Sequence, residues 1–168
     1  MKTLKLFVAI GLITNCFIES KLNAQESYEC EGIKMIPQGP KISTFTDPKD
    51  GHSREVYATI DKDTIYYTNI RKQPDGKIYW LKKWHVYIGL LNMNSSVAGV
   101  FEIAMGSQKI YNVAMPIVSG QSYYYEEVLC TSTKKLNKVS SSNQFSVLFD
   151  KQDEGKAFFE KVKAIKSS

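Results

Sequence analysis

Apolar residues recur at two different periods along this chain. From Glu55 to Phe149 they return mostly at every second position, as in strands with one buried face; after Phe149 they return at every third or fourth, as in a helix. Glu55–Ile60 and Thr64–Arg71 are rich in β-branched and aromatic residues and flank Asp61-Lys62-Asp63, which predicts a hairpin. Pro74-Asp75-Gly76 closes the second run, because proline presets φ and glycine accepts positive φ. Val97–Met105 predicts a strand with Val97, Phe101, Ile103 and Met105 inward. Gly106-Ser107-Gln108 turns the chain into Lys109–Val118, where Tyr111, Val113, Met115 and Ile117 share a face. Pro116 has no N–H to give to a ladder, so this strand either lies at an edge or ends there. In the following SYYYEEVLC stretch, alternation sets Tyr124, Glu126, Val128 and Cys130 against Tyr123, Tyr125, Glu127 and Leu129. Lys134 to Asn143 reads as a polar loop, and Gln144–Phe149 as a last strand with Phe145, Val147 and Phe149 inward.

The run KIYWLKKWHVYIGLLNM, residues 77–93, satisfies both periods. Ile78, Trp80, Trp84, Val86, Ile88 and Leu90 alternate, with Lys82 interrupting, while Trp80, Leu81, Trp84, Tyr87, Ile88 and Leu91 fit one helical face. Short turn spacing and aromatic, β-branched content favour the strand. The end of the chain is helical: Phe158, Val162 and Ile165 recur at helical spacing, Asp150 suits the N-cap, Asp153 suits the positive amino end, and Lys161, Lys163 and Lys166 suit the carboxyl end. Together these elements predict a mainly β, α+β domain: an antiparallel sheet or small barrel of six to seven strands with one C-terminal helix packed on it. That order of elements is similar to pleckstrin-homology-like barrels over about 110 residues, which implies a helix across one barrel opening. The resemblance rests on outline alone and carries over no binding residues.

The amino end changes the accounting. Lys2 and Lys5 precede an apolar run, Leu6 to Ile18, of 13 residues, shorter than the roughly 20 that span a bilayer. With small Ala24 before the cut, residues 1–24 read as a signal peptide of bacterial type. A lipoprotein reading through Cys16 is the minor alternative, since Thr14-Asn15 are not the small residues such a site wants. Residues 25–53 then form a polar arm broken by Pro37, Pro40 and Pro48, in which Gly32–Ile36 and Ile42–Phe45 can add edge strands; residues 54–168 form the single β-rich domain. Removing residues 1–24 takes Lys+Arg from 22 to 19 and Asp+Glu from 17 to 16, so net charge falls from +5 to about +3. So small a charge argues against nucleic acid as a partner. No second apolar run is long enough to span a membrane, so the mature chain is expected to be exported, periplasmic or secreted, with no transmembrane segment.

Of the three cysteines, Cys16 leaves with the signal, and Cys30 and Cys130 are expected to form a disulfide, as a pair in an exported chain usually does. Chemistry beyond that is sparse. His52 and His85 belong to no zinc spacing, so no metal and no cofactor is expected. Glu126 and Glu127 are adjacent on a strand and face opposite sides, so they cannot serve as a glycosidase pair. No phosphate-binding glycine loop or nucleophile elbow occurs. What remains is aromatic: 10 tyrosines and 2 tryptophans in 168 residues. Trp80, Trp84, Tyr87, Tyr123 and Tyr125 are the candidate binding residues, because exposed rings on a strand face stack on sugars or grip peptides. The chain thus reads as an exported binding module for an envelope protein or glycan. A small secreted hydrolase whose site is invisible in sequence, and a structural envelope component, are the alternatives. The exposure of Trp80, Trp84 and Tyr123–Tyr125 discriminates between them.

Overall fold

The computed structural model describes residues 27–30, 32–105, 108–130, 134–140 and 142–168. The signal segment with Cys16, and Gly106-Ser107 of the predicted turn, lie outside them. The domain is mainly β, with three antiparallel sheets and one C-terminal helix. The strands are β1 (Tyr28–Cys30), β2 (Ile33–Met35), β3 (Lys41–Thr46), β4 (Ser53–Asp61), β5 (Thr64–Lys72), β6 (Ile78–Tyr87), β7 (Gly99–Met105), β8 (Gln108–Pro116), β9 (Tyr123–Leu129), β10 (Lys134–Ser140) and β11 (Gln144–Phe149), followed by α1 (Gln152–Ser167). One sheet runs β10-β9-β6-β5-β4-β3, a second β11-β8-β7, and β1-β2 make a hairpin of their own. The described pairings therefore form separate sheets rather than the single closed barrel that the outline also allowed.

Among the described residues there are eleven strands where six or seven were expected for the body. Of the four beyond those, β2 and β3 are the strands that Gly32–Ile36 and Ile42–Phe45 allowed in the proline-punctuated arm, and β1 is a further one there. The fourth, β10, occupies the segment read as a polar loop. It pairs with β9 from Lys134↔Leu129 to Ser140↔Tyr123 at the sheet edge. Residues 78–87 resolve to strand because β5 and β9 pair with β6 on both sides, which a helix could not satisfy. The run ends in a single 3-10 turn, Ile88–Leu90, with the Ile88 N–H donating to the Asp63 carbonyl at 2.7 Å.

β8 is the centre of its sheet, not an edge, and it is tolerated there because Pro116 is its last residue. In β7 the expected inward face is reversed. Val100 packs against the core, while Phe101 and Ile103 are exposed, as is Val97 ahead of the strand. Asp150 does not cap α1; Lys151 holds the N-cap position with no side-chain hydrogen bond. At the far end Lys166 Nζ donates to the Gly89 carbonyl at 2.5 Å, satisfying a backbone acceptor of the 3-10 turn.

Two cores result. The larger lies between the six-stranded sheet, the three-stranded sheet and α1, and includes Phe45, Ile65, Tyr67, Val113, Phe145, Val147 and Val162. The smaller lies on the opposite face of the six-stranded sheet, where the β1–β2 hairpin covers Tyr57, Ile70, Leu81 and Val128. A Cys30–Cys130 disulfide ties that hairpin to the end of β9. Gly39, in the connection to β3, sits at φ +83°, and a Cβ there would come within 2.5 Å of Thr59 Cβ and 2.8 Å of the Ala58 carbonyl, so only glycine lets the arm lie this close to β4.

Candidate functional site

Strands β5, β6 and β9 are interior strands, and their alternation creates two unlike ring clusters. Trp80, Lys82 and Trp84 point to one face; Leu81, Lys83, His85 and Tyr87 point to the other. On the first face the register sets Trp84 between Tyr67 and Tyr125, and Lys82 beside Glu127. Trp80 and Trp84 meet edge to face at 6.2 Å, and Tyr67 lies 4.8 Å from Trp84. The Lys82 ammonium stands 3.7 Å from the Tyr125 ring centre, 4.9 Å from Trp84 and 5.9 Å from Trp80. Arg71 covers Trp80 at 4.2 Å, and the Trp80 indole N–H donates to Glu127 Oε1 at 2.8 Å. This cluster is closed on itself: the chain's own cations occupy its ring faces, a stabilising arrangement in partly desolvated surroundings. Trp80 is only 9% exposed.

The second face carries a row that opens to solvent from half-buried Tyr66 to exposed His85 and Tyr124. Tyr66, His85 and Tyr124 are cross-strand neighbours. Their ring centres are 6.4 and 6.3 Å apart, and His85 and Tyr124 are nearly parallel at 16°. Tyr124 is 60% exposed and Tyr87, further along β6, 51%. Two residues along from His85 and Tyr124, on the same face, stand Lys83 and Glu126, directly opposite one another. They form one wall of a cavity of about 230 Å³ whose other wall is Ile33–Ile36 at the edge of the hairpin.

Beneath the hairpin, beside the apolar core, the same face carries a polar cluster around Glu55. Tyr28 donates to Glu55 Oε2 at 2.7 Å and is hydrogen-bonded to the Tyr57 hydroxyl. Lys72 Nζ is 2.8 Å and Lys41 Nζ 3.6 Å from Glu55 Oε1. Burial pushes the Glu55 carboxyl up, but hydrogen bonds from Lys72 and Tyr28 and the charges of Lys72 and Lys41 outweigh it and hold the group below its ordinary value. A carboxylate held ionised in this way is a structural anchor and a poor proton donor.

The sequence-derived residues are thus divided. Trp80, Trp84 and Tyr125 come together, in the closed cluster. Tyr123 is buried in the main core, 5.4 Å from Phe145. Tyr87 is exposed on the opposite face. The open row of Tyr66, His85 and Tyr124 was missed as a unit, although parity along β6 and β9 carries the signal: His85 and Tyr124 share their faces with Tyr87 and Glu126, not with Trp84 and Tyr125. His52 lies apart, 3.0 Å from Asp50 and edge-on to Tyr79 at 5.2 Å. Among the described residues no group of three His, Cys, Asp or Glu is placed to hold a metal ion, and no helix is long and apolar enough to cross a membrane.

The fold and its sites define a mainly β, disulfide-tied domain with one self-filled aromatic cluster and one open ring row. No family model, no curated protein and no solved structure matches this chain.

Proposed function

We propose that this protein is an exported binding domain that engages an envelope protein or glycan through the open ring row of Tyr66, His85 and Tyr124, with Tyr87 extending it. The observation that carries this reading is the exposure of Tyr124 and Tyr87 on strands whose backbones are already paired on both sides. Exposed rings on a rigid sheet lose little conformational entropy on binding and present an apolar face with a polar rim, as binding hot spots do. The basic and apolar amino end and the disulfide support export. In this reading the first cluster is structural, because its ring faces are covered by Arg71 and Lys82.

The test is capture from a solubilised envelope fraction on the immobilised oxidised protein, compared with Tyr124→Ala and Tyr66→Ala. Both variants are expected to keep the parent's melting temperature and lose the captured material. Equal capture by parent and variants would remove the ring row from the function.

A further inference from the structure

We propose that the face of the six-stranded sheet opposite the ring row carries an anion site, in which Arg54 and Arg71 together hold a dianionic phosphate group, free or as a terminal phosphomonoester.

Arg54 of β4 and Arg71 of β5 are direct cross-strand partners, so their side chains leave the same face of the sheet. Like charges placed opposite one another destabilise a sheet, and arginine stays charged at neutral pH. Both residues are half-buried, so water screens their repulsion incompletely. Burial, and after it the charge of Arg71, holds the Arg54 guanidinium below its ordinary value. The chain brings no countercharge into contact with them. Among the described residues no carboxylate forms an ion pair with either guanidinium. Glu127 accepts the Trp80 indole N–H and stands opposite Lys82 in register. Asp47 acts on Arg54 less than Arg71 does, and its Oδ1 accepts from the Lys49 N–H. Arg71 rests on Trp80 at 4.2 Å, but a ring face holds the charge and leaves the in-plane N–H donors unmet. Accordingly, Arg71 Nε is buried without a hydrogen-bond partner. The next residues on the same two strands provide the contrast. On the other face Lys72 Nζ lies 2.8 Å and Lys41 Nζ 3.6 Å from Glu55 Oε1, so there the cations gather on an anion.

The charge selects the ligand. Two facing guanidinium groups with no carboxylate between them present two positive charges; a phosphate dianion matches both, whereas a carboxylate matches one. Each guanidinium fork takes two oxygens in one plane, and a tetrahedral phosphate has oxygens enough for two forks in different planes. Binding removes the repulsion as well as adding charge-assisted hydrogen bonds.

The test is isothermal titration calorimetry on the oxidised protein at neutral pH and constant ionic strength, with inorganic phosphate, phenyl phosphate and acetate. At least one of the two phosphates is expected to bind, and acetate to bind about tenfold more weakly or worse; the tighter of the two phosphates tells whether the ligand is the free ion or an ester. Arg54→Gln and Arg71→Gln are each expected to weaken phosphate about tenfold or more, the size of one lost charge-assisted hydrogen bond. Phosphate is also expected to raise the melting temperature of the parent and leave that of Arg54→Gln unchanged. Tyr124→Ala, on the other face, should bind phosphate as the parent does, which separates this site from the ring row. Failure of both phosphates to bind, acetate binding as tightly as phosphate, or an Arg54→Gln variant that binds and responds like the parent would overturn the proposal.

Discussion

Replacing Cys30 and Cys130 together by alanine tests how the hairpin is held. The bridge joins residues 100 apart in sequence, and a closed loop of that length removes unfolded-state entropy worth about 4.7 kcal/mol at 25 °C in the chain-entropy model. Against a typical domain stability of about 5–15 kcal/mol, that is a large share. The full amount is lost only if the hairpin stays docked once the bridge is gone. Its two strands have three residues each, and a lone two-stranded hairpin is marginal in water. What keeps it in place otherwise is burial of Tyr28 and Met35 over Ile70, Leu81 and Val128, and the Tyr28–Glu55 hydrogen bond. We expect a loss of about 3–5 kcal/mol by urea unfolding, followed through Trp80 and Trp84 fluorescence, and a melting temperature lower by roughly 10–15 °C. Amide exchange should locate the damage: the amides of β1 and β2 should exchange quickly in the variant while those of β4 and β5 stay protected. A loss under about 1 kcal/mol, or equal loosening of hairpin and sheet, would refute the view that the bridge acts through this loop.

Three further outcomes follow from the geometry. Glu55→Gln should cost about 1–3 kcal/mol at neutral pH, since Lys72 loses its anion; because the folded carboxyl titrates below its ordinary 4.5, its contribution is present above that pH and vanishes as pH falls through the folded value, so parent and variant should converge in acid urea titrations. Tyr67 is buried, which pushes its phenol up to about 12 despite its hydrogen bond to Asn69 and the charges of Arg54 and Arg71; the neutral phenol therefore stabilises the fold fully below pH 10, and this is lost as pH rises toward 12, an alkaline slope that Tyr67→Phe should reduce. Gly39→Ala should lower the melting temperature more than an ordinary surface substitution, because it meets both positive φ and a backbone contact with Ala58, whereas Gly76→Ala, at similar φ in open space, should cost less.

Much of the architecture was legible from side-chain periodicity. The β4–β5 hairpin, the inward set of β11 and the apolar stripe of α1 follow from patterns that hold wherever one face is buried. The pairing of Cys30 with Cys130 followed from the expected signal peptide and the count of cysteines. Gly32–Ile36 and Ile42–Phe45 also anticipated β2 and β3. What escaped was β1, only three residues long, β10, read as a polar loop, and the direction of β7. In β7 the more apolar set, with Phe101 and Ile103, proved to be the exposed one, because Val100 is the residue that reaches the core.

The site divided along the same line. Sequence alone determined that β6 and β9 are rich in rings and that Tyr124 and Tyr125 must face opposite ways, because a strand's period of two is set by its backbone. It could not say which face of the six-stranded sheet would be filled. That was decided when β3 to β9 assembled, with the three-stranded sheet and helix on one face and the disulfide-tied hairpin on the other. Register then placed Lys82 among Trp80, Trp84 and Tyr125, and left His85 and Tyr124 in the open beside half-buried Tyr66. Register and coverage depend on partners distant in the chain, and for that reason local composition picked out the aromatic strands while only the tertiary structure decided which rings were free to bind.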